Sequence, residues 1–329
     1  MDSRLGRPHD TPVHAVAARR SRALTLLFPA FCGLNIALLL LSPGLVPEPG
    51  RAVATWVVLG TGAWLAGRAA RAVPFLAPAL LVLGATALLF ACYSALSGVI
   101  SWVNPEDREW WALALDRRWF GYSWEGAWSG IANPWLSDGL QLVYTSFYGF
   151  PLLLGIALAK RSDWDGVYSA LDRAILGFLL SYAGYLLVPM RSPYAFVEYA
   201  ADLPSFGLQH WLHERLVEQS WTTRDCFPSG HTMLSCFVAW MAWVRARRVF
   251  WVLGPWAALT VVATLYLRYH YLVDVIAGLL AFLLLIPLTN WVFGPWRWPD
   301  AGPGGEEAAV PPCARSGAAV GLAGGGSEQ

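Results

Sequence analysis

Charged side chains are scarce in this chain of 329 residues: Asp, Glu, Lys and Arg make up 14% of it, where an ordinary soluble domain carries about a quarter. A water-soluble globule is therefore excluded as the simple reading, because 56% hydrophobic residues and a mean hydropathy of +0.45 leave too little polar surface to face water. Net charge is nearly absent too, at +1, which argues against a nucleic-acid binder with its concentrated basic face. Cysteine is sparse. The five, Cys32, Cys92, Cys226, Cys236 and Cys313, show no CxxC spacing, so neither a zinc finger nor a disulfide framework is suggested. No internal repeat is evident, and no small-x-small cleavage pattern follows the first apolar run, which reads as a retained helix.

What is present is a series of apolar runs near the 20 or so residues that a helix needs to cross about 30 Å of hydrocarbon. Eight are expected: Ala23 to Leu41, Ala52 to Ala66, Pro74 to Ile100, Leu140 to Ala159, Ala174 to Met190, Ser229 to Val244, Val249 to Leu267 and Tyr271 to Phe293. The fold class is all-α, a polytopic membrane bundle of about eight transmembrane helices. Basic residues collect on alternate connections: Arg4, Arg7, Arg19, Arg20 and Arg22, then Arg68 and Arg71, then Lys160 and Arg161, then Arg245, Arg247 and Arg248. By the positive-inside rule these ends are cytoplasmic. Between Ser101 and Asp138 stand seven tryptophans among Asp, Glu and Arg, the composition of a segment lying along the outer bilayer surface as short amphipathic helices. The organisation expected is a basic cytoplasmic N-terminus over 1–22, N-terminal membrane helices with the Trp-rich segment over 23–137, a catalytic membrane domain over 138–293, and a Gly/Pro/Ala-rich disordered cytoplasmic tail over 294–329.

Three polar clusters interrupt the apolar runs. His231 lies in Cys226-Phe227-Pro228-Ser229-Gly230-His231-Thr232, directly before an apolar run. Pro and Ser open helices, and the free N–H groups of a helix start, with Gly230 allowing close approach, attract a phosphate. Structural capping by Ser229 is the plain alternative. In Arg268-Tyr269-His270-Tyr271-Leu272-Val273-Asp274, His270 and Asp274 are four apart and share a helix face. An Asp on one imidazole nitrogen fixes the tautomer and raises the basicity of the other, as a nucleophilic or general-base histidine requires. Arg191, between Pro189 and Pro193, is a permanent cation suited to phosphate oxygens, or a residue snorkelling to headgroups. All three clusters fall at the outer ends of their spans.

At Pro228 to His231 and His270 to Asp274 the sequence resembles the type 2 phosphatidic acid phosphatase superfamily, whose second and third motifs read Pro-Ser-Gly-His and His-x-x-x-Asp. The resemblance covers roughly Leu140 to Phe293 and implies a six-helix core, with His270 as nucleophile, Asp274 as its orienting carboxylate and His231 as the acid protonating the leaving oxygen. Two features depart from the pattern. The first motif, a Lys six residues before Arg-Pro, is absent around Arg191, and the Ser-Arg ahead of the third motif falls on Ala263 and Thr264. Such a reduced set is similar to the lipid phosphotransferase branch, the inositol phosphorylceramide and sphingomyelin synthases. Arg191 and Arg268, with Ser229 and Gly230, are then the candidates for binding phosphate.

The expected activity is a membrane enzyme acting on a phospholipid or lipid phosphate through a phosphohistidine, with no cofactor and no metal, leaning towards transfer onto a lipid or alcohol acceptor. A lipid phosphate or isoprenyl pyrophosphate phosphatase is the alternative within the family. A metal-dependent hydrolase liganded by His231, His270 and Asp274 is a further chemical alternative; His210 and His213 in the outer loop are an i, i+3 pair that could hold a metal, but a solvated loop face is the expected reading. A transporter is the rival from another class; it predicts polar or broken mid-bilayer positions, of which Asn35 is a modest instance.

Overall fold

The computed structural model describes residues 22–42, 46–72, 77–121, 128–219 and 224–296. The N-terminal segment before Arg22 and the tail from Arg297 lie outside the described residues, as does Trp124 of the Trp-rich segment. Every regular element described is a helix, joined only by an isolated bridge between Met190 and Asp225. In chain order they are α1 (Ala23–Leu41), α2 (Pro49–Ala72), α3 (Ala77–Val103), α4 (Glu109–Phe120), α5 (Pro134–Lys160), α6 (Trp164–Leu187), the single turn α7 (Pro193–Phe196), α8 (Leu208–Gln219), α9 (Gly230–Arg245), α10 (Arg247–Tyr266) and α11 (Leu272–Phe293).

Each of the eight expected spans falls on a helix among the described residues, residues 74–76 of the third lying outside them, and six of these helices, α1, α3, α5, α6, α10 and α11, are long and apolar enough to cross a membrane. The two exceptions have physical causes. Helix α2 has 24 residues but includes Arg51, Arg68 and Arg71. Helix α9 has 16 residues, about 24 Å at 1.5 Å per residue, and is short of the hydrocarbon thickness. It is a core helix, packed by α5, α6, α10 and α11.

Local chemistry sets the helix starts. Asn133 accepts from the Leu136 N–H at 3.0 Å ahead of Pro134, and Asp163 accepts from Gly166 N–H at 3.0 Å while its carboxylate holds Arg245 at 2.6 and 2.8 Å. Helix α5 passes through a 3-10 turn at Ser146–Gly149 just before Pro151, whose ring cannot continue the regular ladder.

Two cores result. Helices α1 to α3 interlock through Phe28, Cys32, Trp56, Ala85, Cys92 and Leu96 and lean on α6. The second core, under α9, gathers Phe147, Leu154, Met233, Phe237, Met241 and Leu285. Large apolar side chains left on the outside, among them Leu83, Val58, Leu284 and Trp291, form the surface that hydrocarbon would cover. Helix α4 presents Trp110 and Trp119 outward and buries Glu109, Ala112 and Asp116 against α11. Gly121 ends it with φ +61°, donating to the Arg117 carbonyl at 3.0 Å.

Candidate active site

Two helix starts meet at the end of the bundle where α4 lies. Ser229 opens α9: its hydroxyl accepts from Thr232 N–H at 3.2 Å and donates to Thr232 Oγ1 at 2.9 Å. Its own N–H donates to the Asp274 carbonyl at 3.2 Å, tying α9 to the first turn of α11. Glycine is required beside it twice. A Cβ on Gly230 would stand 2.7 Å from Ser181 Oγ, and one on Gly278 would stand 2.7 Å from the Ser229 carbonyl oxygen.

His270 is delivered by the end of α10. Arg268 takes a left-handed conformation, φ +64°, so that the Thr264 carbonyl accepts from both the Tyr269 and His270 N–H groups at 3.0 Å. The imidazole then lies with Nδ1 3.3 Å from Asp274 Oδ2 and Nε2 3.5 Å from His231 Nδ1. Asp274 Oδ2 also accepts from Tyr271 N–H at 3.1 Å and from the Cys226 thiol at 2.7 Å, while Oδ1 is buried with no hydrogen-bond partner. His231 is held by rings: it stacks on Tyr144 with centroids 4.4 Å apart, Tyr144 stacks on Tyr269 at 4.3 Å, and Phe147 closes the other side at 4.6 Å. The Tyr269 hydroxyl donates to Gln141 Oε1 at 3.1 Å, anchoring the stack. His231, 39 residues from His270, thus joins the His270 and Asp274 pair in one contiguous chain of side chains.

The expected cations are elsewhere engaged. Arg191 donates from Nε to Glu109 Oε1 at 2.6 Å, approaches Asp107 at 3.4 Å and lies over the Phe196 ring; the Glu109 hydrogen bond raises its pKa further. Arg268 lies over the Tyr199 ring at 3.6 Å and donates to the Ala201 carbonyl at 3.1 and 3.2 Å. Among the described residues neither guanidinium bonds to His231, His270 or Asp274. His210 and His213 do not act as a pair either: His210 Nε2 meets the Leu203 carbonyl at 3.1 Å, and His213 Nδ1 meets the Tyr269 hydroxyl at 2.8 Å. The expected solvated loop face is therefore half-buried at His213, where burial lowers the imidazole pKa.

Several residues at the site went unnoticed in the sequence. Asp116 of α4 accepts from Leu272 N–H at 3.0 Å and Val273 N–H at 2.8 Å, so a distant helix caps α11. Glu109 and Asp116, seven apart and on one buried face of a Trp-rich helix, were the readable signal. Asp225 receives the Tyr93 hydroxyl at 2.5 Å, and burial pushes its carboxyl above the usual carboxylate range. With Tyr148, Tyr182, Tyr185, Phe90 and His231 it lines a half-open, largely aromatic cavity of about 130 Å³.

Chemically, an imidazole oriented by a carboxylate on one nitrogen and facing a second imidazole with the other can attack an electrophile and have its leaving group protonated. Comparison with known proteins agrees in kind. A family profile described as PAP2 superfamily matches residues 111–288, just over half of the 329. A PA-phosphatase related-family protein of Dictyostelium discoideum is 28% identical over 162 residues, a match covering 43% of this chain and 29% of that protein. No solved structure matches.

Proposed function

The chain belongs to the PAP2 superfamily, and from that premise we propose that it is a membrane-embedded phosphotransferase acting on a phosphorylated lipid through a phosphohistidine at His270. The observation that carries this reading is the run Asp274 Oδ2, His270 Nδ1, His270 Nε2, His231 Nδ1, with gaps of 3.3 and 3.5 Å. Asp274 holds the proton on Nδ1, leaving the Nε2 lone pair to attack phosphorus. The P–O bond breaks, and His231 gives its proton to the departing oxygen. In the return step an acceptor hydroxyl loses its proton to His231 as its oxygen attacks phosphorus, and the P–N electron pair returns to Nε2. The Gly230 and His231 N–H groups at the start of α9 are the ones offered to the growing charge on the phosphoryl oxygens, since the Ser229 N–H goes to the Asp274 carbonyl and the Thr232 N–H to Ser229 Oγ. The start of α11 does not serve, since Asp116 already occupies two of its N–H groups. Arg191 and Arg268 contribute only on leaving Glu109 and the Ala201 carbonyl.

Transfer onto a lipid or alcohol hydroxyl is favoured over hydrolysis because His270 is 4% exposed and the neighbouring cavity is walled by aromatic rings, an arrangement that keeps water away from the phosphoenzyme. The alternative is a lipid phosphate or isoprenyl pyrophosphate phosphatase. With Arg68, Lys160, Arg161, Arg245, Arg247 and Arg248 at the opposite helix ends, the positive-inside rule puts the site on the extracytoplasmic face.

The test is turnover by purified protein in detergent, with His270→Ala as control, on phosphatidic acid, on isoprenyl pyrophosphate, and on phosphatidylinositol with ceramide or diacylglycerol. A new phospholipid without free phosphate supports transfer. His270-dependent free phosphate makes it a phosphatase, and inactivity of a folded protein on every substrate sinks the reading.

A further inference from the structure

Cys226 is a buried thiol that the proposed chemistry does not use. Its Sγ lies 2.7 Å from Asp274 Oδ2 and 3.6 Å from His270 Nδ1, and those two atoms lie 3.3 Å apart. All three residues are buried. The cluster is invisible as a spacing because Cys226 is 44 and 48 residues from its neighbours. The backbone fixes it: Cys226 N–H donates to the Met190 carbonyl at 3.1 Å, and Asp274 stands in the first turn of α11.

We propose that Cys226, His270 and Asp274 form an inhibitory site for a thiophilic divalent cation of the zinc class. Bonds of about 2.3 Å to sulfur and about 2.0–2.2 Å to nitrogen and oxygen require edges of roughly 3.3–3.6 Å between tetrahedral ligands. The nitrogen–oxygen and nitrogen–sulfur edges already have that length, and the sulfur–oxygen edge needs to open by under about 1 Å. Asp274 brings an oxygen, Oδ1, that has no hydrogen-bond partner. A thiolate, an imidazole and one carboxylate favour zinc over magnesium or calcium, which take oxygen ligands. Binding is balanced by one released proton: the thiol loses its hydrogen to solvent, and the hydrogen on His270 Nδ1 moves to Nε2 as the metal takes its place. The consequence for the activity rests on the reading of His270 as nucleophile. A metal on Nδ1 leaves a hydrogen on Nε2, the atom that must attack, so the metal-bound protein is the inactive one. His231 is not a ligand in this arrangement.

The experiment uses the full chain in detergent, freed of metal by chelator. Cobalt chloride is titrated into it, followed by absorption, and zinc chloride into the assay. Expected are a thiolate-to-cobalt charge-transfer band saturating at one ion per chain, lost in Cys226→Ser, weakened in Asp274→Asn and kept in His231→Ala. Zinc should suppress turnover reversibly by chelator, magnesium should not, and Cys226→Ser, scored against its own zinc-free rate, should need at least about tenfold more zinc. Absence of the thiolate band, or equal zinc sensitivity in wild type and Cys226→Ser, overturns the proposal. A saturating band in a protein inactive on every lipid phosphate supports the metal site while rejecting the proposed function.

Discussion

Helices α1 to α3 and the bundle of α4 to α11 are both helical and both apolar outside, yet they differ in what they bury. Among the described residues Asn35 is the one buried polar side chain of α1 to α3, its amide donating to the Phe31 carbonyl at 2.8 Å. The other part buries Glu109, Asp116, Asp138, Gln141, Asp172, Arg173, Ser229, His270 and Asp274. Since a buried polar group is costly unless paired, the first region is held chiefly by packing, with Tyr93 bonding to Asp225 and Leu89 accepting from Tyr182 at its seam with the second, whereas the second is held by a network whose members must all arrive in place. Substitutions should therefore be absorbed in one and propagate in the other.

The largest contrast is expected at the catalytic chain. His270→Ala should lower turnover by about a thousandfold or more while the unfolding temperature in detergent moves by only a few degrees; loss of folding together with activity would undo the distinction. Next comes the same change made once in each region. Gly278→Ala places a Cβ 2.7 Å from the Ser229 carbonyl oxygen, whereas Gly84→Ala meets only Ala66 at 3.7 Å. The first should destabilise by about 1–3 kcal/mol and cut turnover at least tenfold, by prising α11 from the start of α9. The second should stay within about 0.5 kcal/mol. Thermal unfolding and rates on the paired variants decide it.

Asp116→Ala should cost about 1–2 kcal/mol, the value of a lost helix cap, and lower kcat. Asp116→Asn, which can still accept one N–H, should recover part of both. Asp225 gives a pH signature. Burial raises its folded-state pKa, so its contribution is present below the unfolded value near 4 and is lost as pH rises through the folded value. Asp225→Asn should therefore gain stability over wild type at pH 8 and show little difference at pH 4, read from melting temperatures at the two values. The smallest effect is expected at Asn35→Leu. Its carbonyl oxygen has no hydrogen-bond partner, so an apolar replacement should leave stability within about 1 kcal/mol and turnover unchanged.

The sequence was informative where the physics is local. Apolar length located eight helices. His270 and Asp274 do meet, Nδ1 to Oδ2, but not on a shared helix face: α11 begins at Leu272, and the left-handed turn at Arg268 delivers His270 from the end of α10. The helix start at Ser229 was readable because its capping is local. Illegible were interactions between partners remote in the chain. Arg191, a candidate phosphate ligand, donates to Glu109, 82 residues earlier, a contact that no spacing disclosed. Arg268, the other candidate cation, has a left-handed backbone, and its side chain meets Tyr199 and Ala201. The tryptophans of α4 pointed to a short amphipathic helix and hid the acids on its inner face.

The reach of Asp116 also orders events during synthesis. It leaves the ribosome 156 residues before the helix it caps, an interval of about 8–30 s at roughly 5–20 residues per second. Until then α4 carries carboxylates with no α11 to receive them, and the pairing of His270 with Asp274 does not yet exist. On the proposed chemistry, competence thus waits for α11, and a chain truncated before it is expected to be a membrane protein without a reaction.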